Sequence, residues 1–288
     1  MRMKRRDFIK AVTAGVILSG FEPFSLVSAN QLLPKSQSLS QSSFDGYIKD
    51  YLHKMQNFDQ PHPEDIYVEK ELVPVLRSCV SRLKRLELTV GHGNFYLLSF
   101  DGGLDIARNY PEVGEFTKTE LDFLERIFYT DSSLYGFIGD KPIDKMTYRI
   151  NENDAVKIPA TGNYLYRGMP QDMYEKLKKH VGDKLYLTSG IRGVVKQFLL
   201  FLDKADINRG NLSLASRSLA PPGYSFHGIA DFDVGQMGYG ILNFTGSFTR
   251  TEVFKKLEDL EYVSLRYTKD NLKGVRFEPW HIKVFPKG

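Results

Sequence analysis

The chain has little of several features that mark common protein classes. It contains one cysteine, Cys79, in 288 residues, which excludes an intramolecular disulfide. A fold without disulfides must be held by its core or by a metal. We find no G-x-G-x-x-G phosphate loop, no internal repeat and no heptad pattern, so the sequence favours neither a dinucleotide-binding protein nor a repeat protein or coiled coil.

Outside residues 1–29 the chain also has little net charge. The formal net charge is +4, and residues 1–29 carry five basic and two acidic side chains, a net +3 of that total. The rest of the chain is therefore close to neutral. A near-neutral chain gives no electrostatic reason to expect a nucleic-acid partner, and we predict none.

Residues 1–29 have the pattern of an export signal. Arg5 and Arg6 precede a short apolar run, and a small-residue cleavage site ends at Ala29. The run is interrupted at Gly20 and Glu22 and falls short of the roughly 20 residues that a membrane span needs. We predict a twin-arginine signal peptide, a periplasmic or extracellular mature protein, and no membrane span in the mature chain. A membrane anchor is the less favoured alternative.

The remaining chain divides into three predicted parts. Residues 30–43 are rich in serine and glutamine and lack apolar periodicity, which is typical of a flexible tether. Residues 44–160 are predicted to form a helical and mixed N-terminal extension. Residues 161–288 contain the residues with the clearest chemistry and are predicted to form the functional core.

Hydrophobic periodicity predicts a mixture of helices and strands. One helix is expected to begin at Thr117, with Glu120 as its capping-box partner. Further helices are predicted at residues 47–55, 74–85, 174–181, 194–203 and 251–260. Strands are predicted at residues 86–90, 95–100, 184–188, 224–234, 262–267 and 275–285. This mixture indicates an α+β protein.

Two segments of the last third combine residue types that bind zinc. The first contains His227, Asp231 and Asp233, and the second contains Glu278 and His281. A catalytic zinc ion takes three such ligands and leaves a fourth position for water, which a nearby carboxylate can deprotonate. If residues 226–233 form a strand, the histidine and both aspartates point to one face. The sequence therefore predicts a mononuclear zinc hydrolase, with either aspartate as the third ligand.

A third segment, residues 187–197, leaves a predicted strand, turns at a glycine and enters a helix soon after an arginine. In chain order, Ser-Gly-Ile-Arg at 189–192, Ser-Phe-His at 225–227 and Glu-Pro-Trp-His at 278–281 resemble the motifs of one family. It is the vancomycin-resistance type of D-alanyl-D-alanine metallocarboxypeptidase, in the zinc superfamily that also contains the hedgehog signalling domain. The resemblance covers roughly residues 185–285.

The resemblance implies a hedgehog/D,D-peptidase-like α+β fold, with a mostly antiparallel sheet, flanking helices and, here, an N-terminal extension. It also implies a role for each matching residue. The roles are zinc ligation by His227, Asp233 and His281, general base catalysis by Glu278, polarisation of the scissile carbonyl by Arg192, and substrate binding by Ser225 and Gln197.

Two positions depart from the family pattern. Gly193 stands where the first motif has its second serine. The family places its aspartate seven residues after the first histidine, but position 234 here is valine. We choose Asp233, one residue closer, because the residues around it resemble the usual apolar-Asp-apolar-Gly ending. Asp231 is the alternate ligand.

The predicted function is a zinc-dependent D-alanyl-D-alanine carboxypeptidase that hydrolyses the terminal peptide bond of peptidoglycan stem peptides, with zinc-bound water as the nucleophile. Alternatives are an L,D-carboxypeptidase or endopeptidase of the same superfamily, or a non-catalytic module that binds wall peptides. Glu278 favours an enzyme, because a structural zinc site needs no spare base. The serines near Arg217 form no Ser-x-x-Lys motif, which argues against a serine D,D-peptidase.

Overall fold

Helices make up most of the regular structure. The computed structural model describes residues 41–284, and side-chain environments from residue 48 onward. The predicted export signal and most of the predicted tether lie outside the described residues. Within them, the α-helices are α1 Gln41–Gln56, α2 Val73–Val90, α3 His92–Leu97, α4 Phe100–Asn109, α5 Lys118–Tyr129, α6 Met169–Val181, α7 Val194–Ile207, α8 Leu212–Ser216 and α9 Glu252–Glu258. Short 3₁₀ helices span Lys70–Leu72, Ser132–Tyr135, Glu152–Asp154, Phe226–Gly228, Gly240–Phe244 and Gly246–Arg250.

The predicted capping box at the start of α5 is confirmed. The Thr117 side chain accepts a hydrogen bond from the backbone N–H of Glu120, and the Glu120 carboxylate accepts one from the backbone N–H of Thr117. This exchange satisfies two backbone donors that a helix start otherwise leaves unpaired. The predicted end of α6 is also confirmed, since Gly182 directly follows its last residue.

The strands predicted at residues 86–90 and 95–100 are wrong. Helix α2 continues to Val90, and residues 92–97 form α3. Alternation of Leu86 and Leu88 suggested a strand, but Leu86 is buried and Leu88 is 75% exposed. Leu86 continues a helical stripe that includes Leu83. Gly91 ends α2 at φ 79°, a conformation that glycine adopts without steric cost.

Two small antiparallel sheets contain the strands. Strands β1 Ala155–Lys157 and β2 Tyr164–Tyr166 form a hairpin, and a second sheet has the order β3-β4-β5, with β3 Leu185–Ser189, β4 Phe232–Gln236 and β5 His281–Ile282. The α+β class and the antiparallel pairing are therefore confirmed, although helices exceed strands in the described residues. The long strands predicted at 224–234, 262–267 and 275–285 are wrong. In the described residues of these segments, strand is present only at 232–236 and 281–282, and Leu265 forms a single bridge with Ile282.

The error at residues 224–234 has a local cause. The carbonyl of Phe226 accepts hydrogen bonds from the backbone N–H groups of Ile229, Ala230 and Asp231. These bonds close a compact turn, so side chains from 226 to 231 do not alternate as in a strand. The assumption that one strand face presents the histidine and both aspartates is therefore wrong.

Two hydrophobic clusters support this arrangement. The first joins α7 to helices α2, α4 and α5, and its fully buried members include Phe198, Phe201 and Leu202. Burying a side chain of this size stabilises the fold by roughly 1.5–3 kcal/mol relative to exposure. The second cluster lies against the three-stranded sheet and includes Phe232 and Trp280. Residues from both sides of the predicted 160/161 boundary share the first cluster, and the division into extension and core stays a prediction.

Helix α3 contacts the segment of residues 187–197. The backbone N–H of Gly193 donates to the carbonyl of Tyr96 at 2.7 Å, just before α7 begins. None of the helices in the described part of the chain is long and apolar enough to cross a membrane.

Candidate active site

Three buried side chains converge at one end of the three-stranded sheet. His227, Asp233 and His281 each offer a ligand atom, and these atoms lie within 4.8 Å of one another. His227 Nε2 lies 3.2 Å from Asp233 Oδ1, and His281 Nδ1 lies 3.4 Å from the same oxygen. Tetrahedral zinc with bonds of about 2.0–2.2 Å holds neighbouring ligand atoms roughly 3.4 Å apart. The donor set and the two distances to Asp233 Oδ1 therefore fit a zinc ion.

Sheet register and a turn position these three groups. Asp233 on β4 pairs directly with His281 on β5, so the two side chains share one face. On the other side Asp233 pairs with Ser189, after an irregularity in β3 that skips Thr188. His227 comes from the 3₁₀ turn and not from a strand. Bulges of this kind often occur beside active sites, where they redirect a side chain.

The outer nitrogen of each histidine is already held. His227 Nδ1 lies 2.7 Å from the carbonyl of Gly190, and His281 Nε2 lies 3.0 Å from Asp231 Oδ2. Such contacts determine the tautomer and the ring orientation of a ligating histidine. They leave His227 Nε2 and His281 Nδ1 facing the gap beside Asp233.

Asp231 and Asp233 have different surroundings. Asp231 forms an ion pair with Arg266 through both carboxylate oxygens and accepts a hydrogen bond from the backbone N–H of Val284 at 2.9 Å. Asp233 uses Oδ2 to pair with Arg192 at 2.5 Å, and its Oδ1 lies between the two histidines. Asp231 thus supports His281 from behind, whereas Asp233 belongs to the convergent group.

The pKa values of the two histidines and the two aspartates are shifted in different directions. Burial alone would lower the pKa of His281, but hydrogen bonds to Asp231 and Glu278 and the charge of Asp233 raise it to about 9. Burial and the Arg192 charge lower the pKa of His227. Burial would raise the pKa of each aspartate, yet the histidines and arginines beside them lower it, to about 2 for Asp231 and well below the usual range for Asp233. At neutral pH both carboxylates are therefore ionised.

Glu278 lies beside the convergent group without being part of it. Its Oε2 is 3.4 Å from His281 Nδ1, and the residue is buried. The backbone N–H of Glu278 donates to the carbonyl of Tyr267, and its carbonyl accepts from the N–H of His281. A carboxylate at this position can take a proton from a water molecule bound among the three side chains.

A cleft of about 320 Å³ opens onto these residues. Of the residues predicted for the site, Arg192, Ser225, His227, Asp233, Glu278 and His281 line it. Gln197 does not line it. Its Nε2 donates to the carbonyl of Arg192 at 2.8 Å, and its Oε1 accepts from the backbone N–H of Gly223 at 2.8 Å. In this structure Gln197 holds the backbone that carries Arg192.

Sequence reasoning missed several side chains around the site. Ser189 Oγ accepts a hydrogen bond from Arg192 Nε at 2.8 Å, and Arg266 neutralises Asp231. Tyr96, Lys196 and Arg276 line the cleft. Ser189 lies inside the quoted motif and could have been found there. Lys196 lies in the same segment, residues 187–197, and Arg266 lies in the stretch Leu265-Arg266-Tyr267, which also resembles the family. Tyr96 and Arg276 carry no motif signal, because their contacts join distant parts of the chain.

Comparison with known proteins identifies the C-terminal part of the chain. Residues 169–287 match the family model VanY, described as D-alanyl-D-alanine carboxypeptidase. This part of the chain is a VanY-family domain. The matched residues include the whole convergent group and Glu278, so the predicted family is confirmed. No curated protein matches the chain at a significant level.

Two solved structures are similar to this chain over part of its length. One is the LdcB LD-carboxypeptidase, whose structure is said to reveal the molecular basis of peptidoglycan recognition; it is 24% identical with a TM-score of 0.37, and the match covers 42% of this chain and 59% of that chain. The other is a mutant of the vancomycin resistance D,D-pentapeptidase VanY from a VanB-type resistance cassette, in complex with Zn(II). It is 23% identical with a TM-score of 0.38, and covers 54% of this chain and 88% of that chain. At these scores the family assignment depends on the family model alone.

Proposed function

We propose that this chain is a zinc-dependent D-alanyl-D-alanine carboxypeptidase that hydrolyses the terminal peptide bond of peptidoglycan stem peptides. The observation that carries the proposal is the convergence of His227, Asp233 and His281 with Glu278 beside them. A structural zinc site is closed by four protein ligands, whereas three ligands with an adjacent carboxylate are typical of a catalytic site. The VanY family match supports the same substrate class.

In the proposed reaction the chain's own residues bind the metal, move protons and orient the peptide. His227 Nε2, His281 Nδ1 and one Asp233 oxygen would hold zinc, which supplies a Lewis acid for the water and the carbonyl when bound. Glu278 takes the proton of the attacking water and then delivers it to the leaving amine. Arg192, fixed by Ser189 and Asp233, stabilises negative charge that develops on the carbonyl oxygen.

The direct test is to incubate purified muropeptides with the zinc-loaded protein and analyse them by mass spectrometry. We expect pentapeptides to become tetrapeptides with release of free D-alanine, and the Glu278→Gln variant to be the matched inactive control. Conversion of tetrapeptides to tripeptides would instead indicate an L,D-carboxypeptidase. Loss of cross-linked dimers would indicate an endopeptidase, and binding without any conversion would leave the non-catalytic alternative.

We also propose that the chain is exported by the twin-arginine pathway and acts outside the cytoplasm. Support comes from the sequence of residues 1–29, which lie outside the described residues, and from a cell-wall substrate. Replacing Arg5 and Arg6 by lysine should leave uncleaved precursor in the cytoplasm, as judged by fractionation and immunoblotting. Normal secretion of this variant would contradict the proposed route.

A further inference from the structure

Buried polar atoms without a partner are concentrated in the cleft. Among the described residues, five buried side-chain atoms have no hydrogen-bond partner, and three of them belong to residues that line this one cleft. They are Thr188 Oγ1, Ser218 Oγ and Arg276 Nε. Leaving a buried donor or acceptor unpaired costs about 1–3 kcal/mol, and native proteins contain few such groups. Their grouping places polar atoms that the protein does not pair in the wall of this cleft.

Arg276 differs from the other cations of the cleft. Arg192 pairs with Asp233 at 2.5 Å and Lys196 pairs with Glu87 at 2.8 Å. For Arg276 no carboxylate lies within ion-pairing distance anywhere in the described part of the chain. A buried charge is costly unless it is paired. The Arg276 charge is therefore compensated from a distance by Glu278, Asp59 and Asp233, but no carboxylate of the described residues contacts the guanidinium directly.

The Arg276 guanidinium is also held in place. Its Nη2 donates to the carbonyl of Phe244 at 3.1 Å, and its central carbon lies 4.8 Å from the ring centroid of Trp280 and 4.4 Å from that of Phe58. Cation–π contacts of this kind orient the planar group without neutralising its charge. A donor that is fixed before the ligand arrives loses little conformational entropy on binding.

The backbone segments that carry Ser218 and Arg276 are neighbours. The backbone N–H of Arg276 donates to the carbonyl of Arg217 at 2.9 Å, next to Ser218 in the chain. The Arg217 side chain itself pairs with Asp65 and is not part of this group. Both Ser218 and Arg276 line the cleft, and a guanidinium N–H together with a hydroxyl group matches the two oxygens of a carboxylate.

We propose that Arg276 and Ser218 form a subsite for a carboxylate of the substrate, in addition to the residues that the family resemblance assigns to substrate binding. The identity of the ligand as a wall peptide rests on the proposed function. Two carboxylates of such a peptide fit this chemistry. One is the C-terminal carboxylate of the residue that leaves, and the other is the side-chain carboxylate of a diaminopimelate residue on the acyl side of the scissile bond.

Steady-state kinetics with three synthetic pentapeptides test the subsite. The peptides are a lysine pentapeptide ending in D-Ala-D-Ala, its C-terminal amide, and the corresponding diaminopimelate pentapeptide acid. The zinc-loaded enzymes are the wild type, Arg276→Met and the matched control Arg250→Met. Arg250 is exposed, lies outside the cleft and loses the same charge.

We expect Arg276→Met to raise KM about 10- to 100-fold for peptides with the recognised carboxylate and to change kcat little, because a hydrogen bond to a charged group is lost. If the C-terminal carboxylate is bound, the amide is a poor substrate for the wild type and Arg276→Met has no further effect on it. If the diaminopimelate carboxylate is bound, Arg276→Met removes a wild-type preference for that peptide. Equal losses on all three peptides, or none, would overturn the proposal.

A second variant and a binding assay separate this proposal from the proposed function. Ser218→Ala should weaken binding of the same peptide alone, by about 10-fold, the lower end of the usual effect of a hydrogen bond to a charged group. Calorimetric binding of the peptides to Glu278→Gln, with and without Arg276→Met, needs no turnover. Loss of carboxylate discrimination with Arg276→Met supports the subsite even if the wild type hydrolyses nothing. Normal hydrolysis with unchanged binding, or binding of no peptide, refutes it.

Discussion

Replacing Asp231 by asparagine tests whether this residue orients a zinc ligand or binds zinc itself. Asp231 accepts hydrogen bonds from Arg266, from His281 Nε2 at 3.0 Å and from the backbone N–H of Val284 at 2.9 Å. Asparagine keeps the shape of the side chain but removes its charge. The variant therefore leaves the buried Arg266 without a counter-charge and replaces the carboxylate beside His281 by a neutral amide with a single acceptor oxygen.

The expected loss of stability follows from that unpaired charge. Removing one partner of a buried ion pair typically costs about 3–5 kcal/mol. In a unit of this size each kcal/mol shifts the melting temperature by about 2–4 °C, so Asp231→Asn should lower Tm by roughly 6–20 °C. Adding Arg266→Met removes the unpaired cation and should restore much of the loss. Thermal unfolding followed by circular dichroism measures both variants.

Zinc affinity gives the second measurement. Asp231→Asn should weaken zinc binding by about 10- to 100-fold, the usual effect of removing a group that orients a ligand. Asp233→Asn, at the centre of the convergent group, should instead leave no stoichiometric zinc. Chelator competition below the melting transition compares the two variants. If Asp231→Asn empties the site while Asp233→Asn retains zinc, Asp231 is the ligand and the assignment must be exchanged.

Three further outcomes are expected. Glu278→Gln should retain zinc and fold but lower kcat by about 10²–10⁴-fold, because it removes the general base; wild-type turnover would exclude that role. Arg192→Lys should lower kcat by about 10²–10³-fold, since a lysine cannot bond Ser189 and Asp233 together as the guanidinium does, and unchanged turnover would mean that it does not stabilise the oxyanion. The pKa of His281 is about 9 without metal, so the imidazole is protonated at pH 7 and zinc binding should release about one proton. Affinity should then rise with pH and level off near pH 9, and calorimetry in buffers of different ionisation enthalpy would refute this if no proton were released.

Local signals in the sequence predicted local structure well. Thr117 and Glu120 are three residues apart, and in their capping box each side chain accepts a hydrogen bond from the other's backbone N–H, so neighbouring residues contain all the information needed. The same holds for Gly182 at the end of α6. The strand predicted at residues 86–90 failed because five residues can fit period 2 and period 3.6 alike. Packing against α7 selected the helix, and that contact joins residues more than 100 positions apart.

The site shows the same limit. Motif spacing identified His227, Asp233 and His281, which the structure brings together, although the strand-face argument for them is wrong. No spacing rule could pair Asp231 with Arg266, 35 residues away, because that contact depends on how the turn and the last strand pack. Arg276 was missed for a similar reason, since its partners come from three separate segments.

The close approach of Tyr96 to Gly193 links a departure from the family motif to the shape of the cleft. A Cβ atom at position 193 would lie 2.9 Å from the Tyr96 carbonyl and 3.1 Å from that of Leu98, which is closer than side chains tolerate. A serine at this position would require the Tyr96 segment to lie farther from the start of α7. Because Tyr96 also lines the cleft, the glycine at position 193 is what allows α3 to form part of the cleft wall.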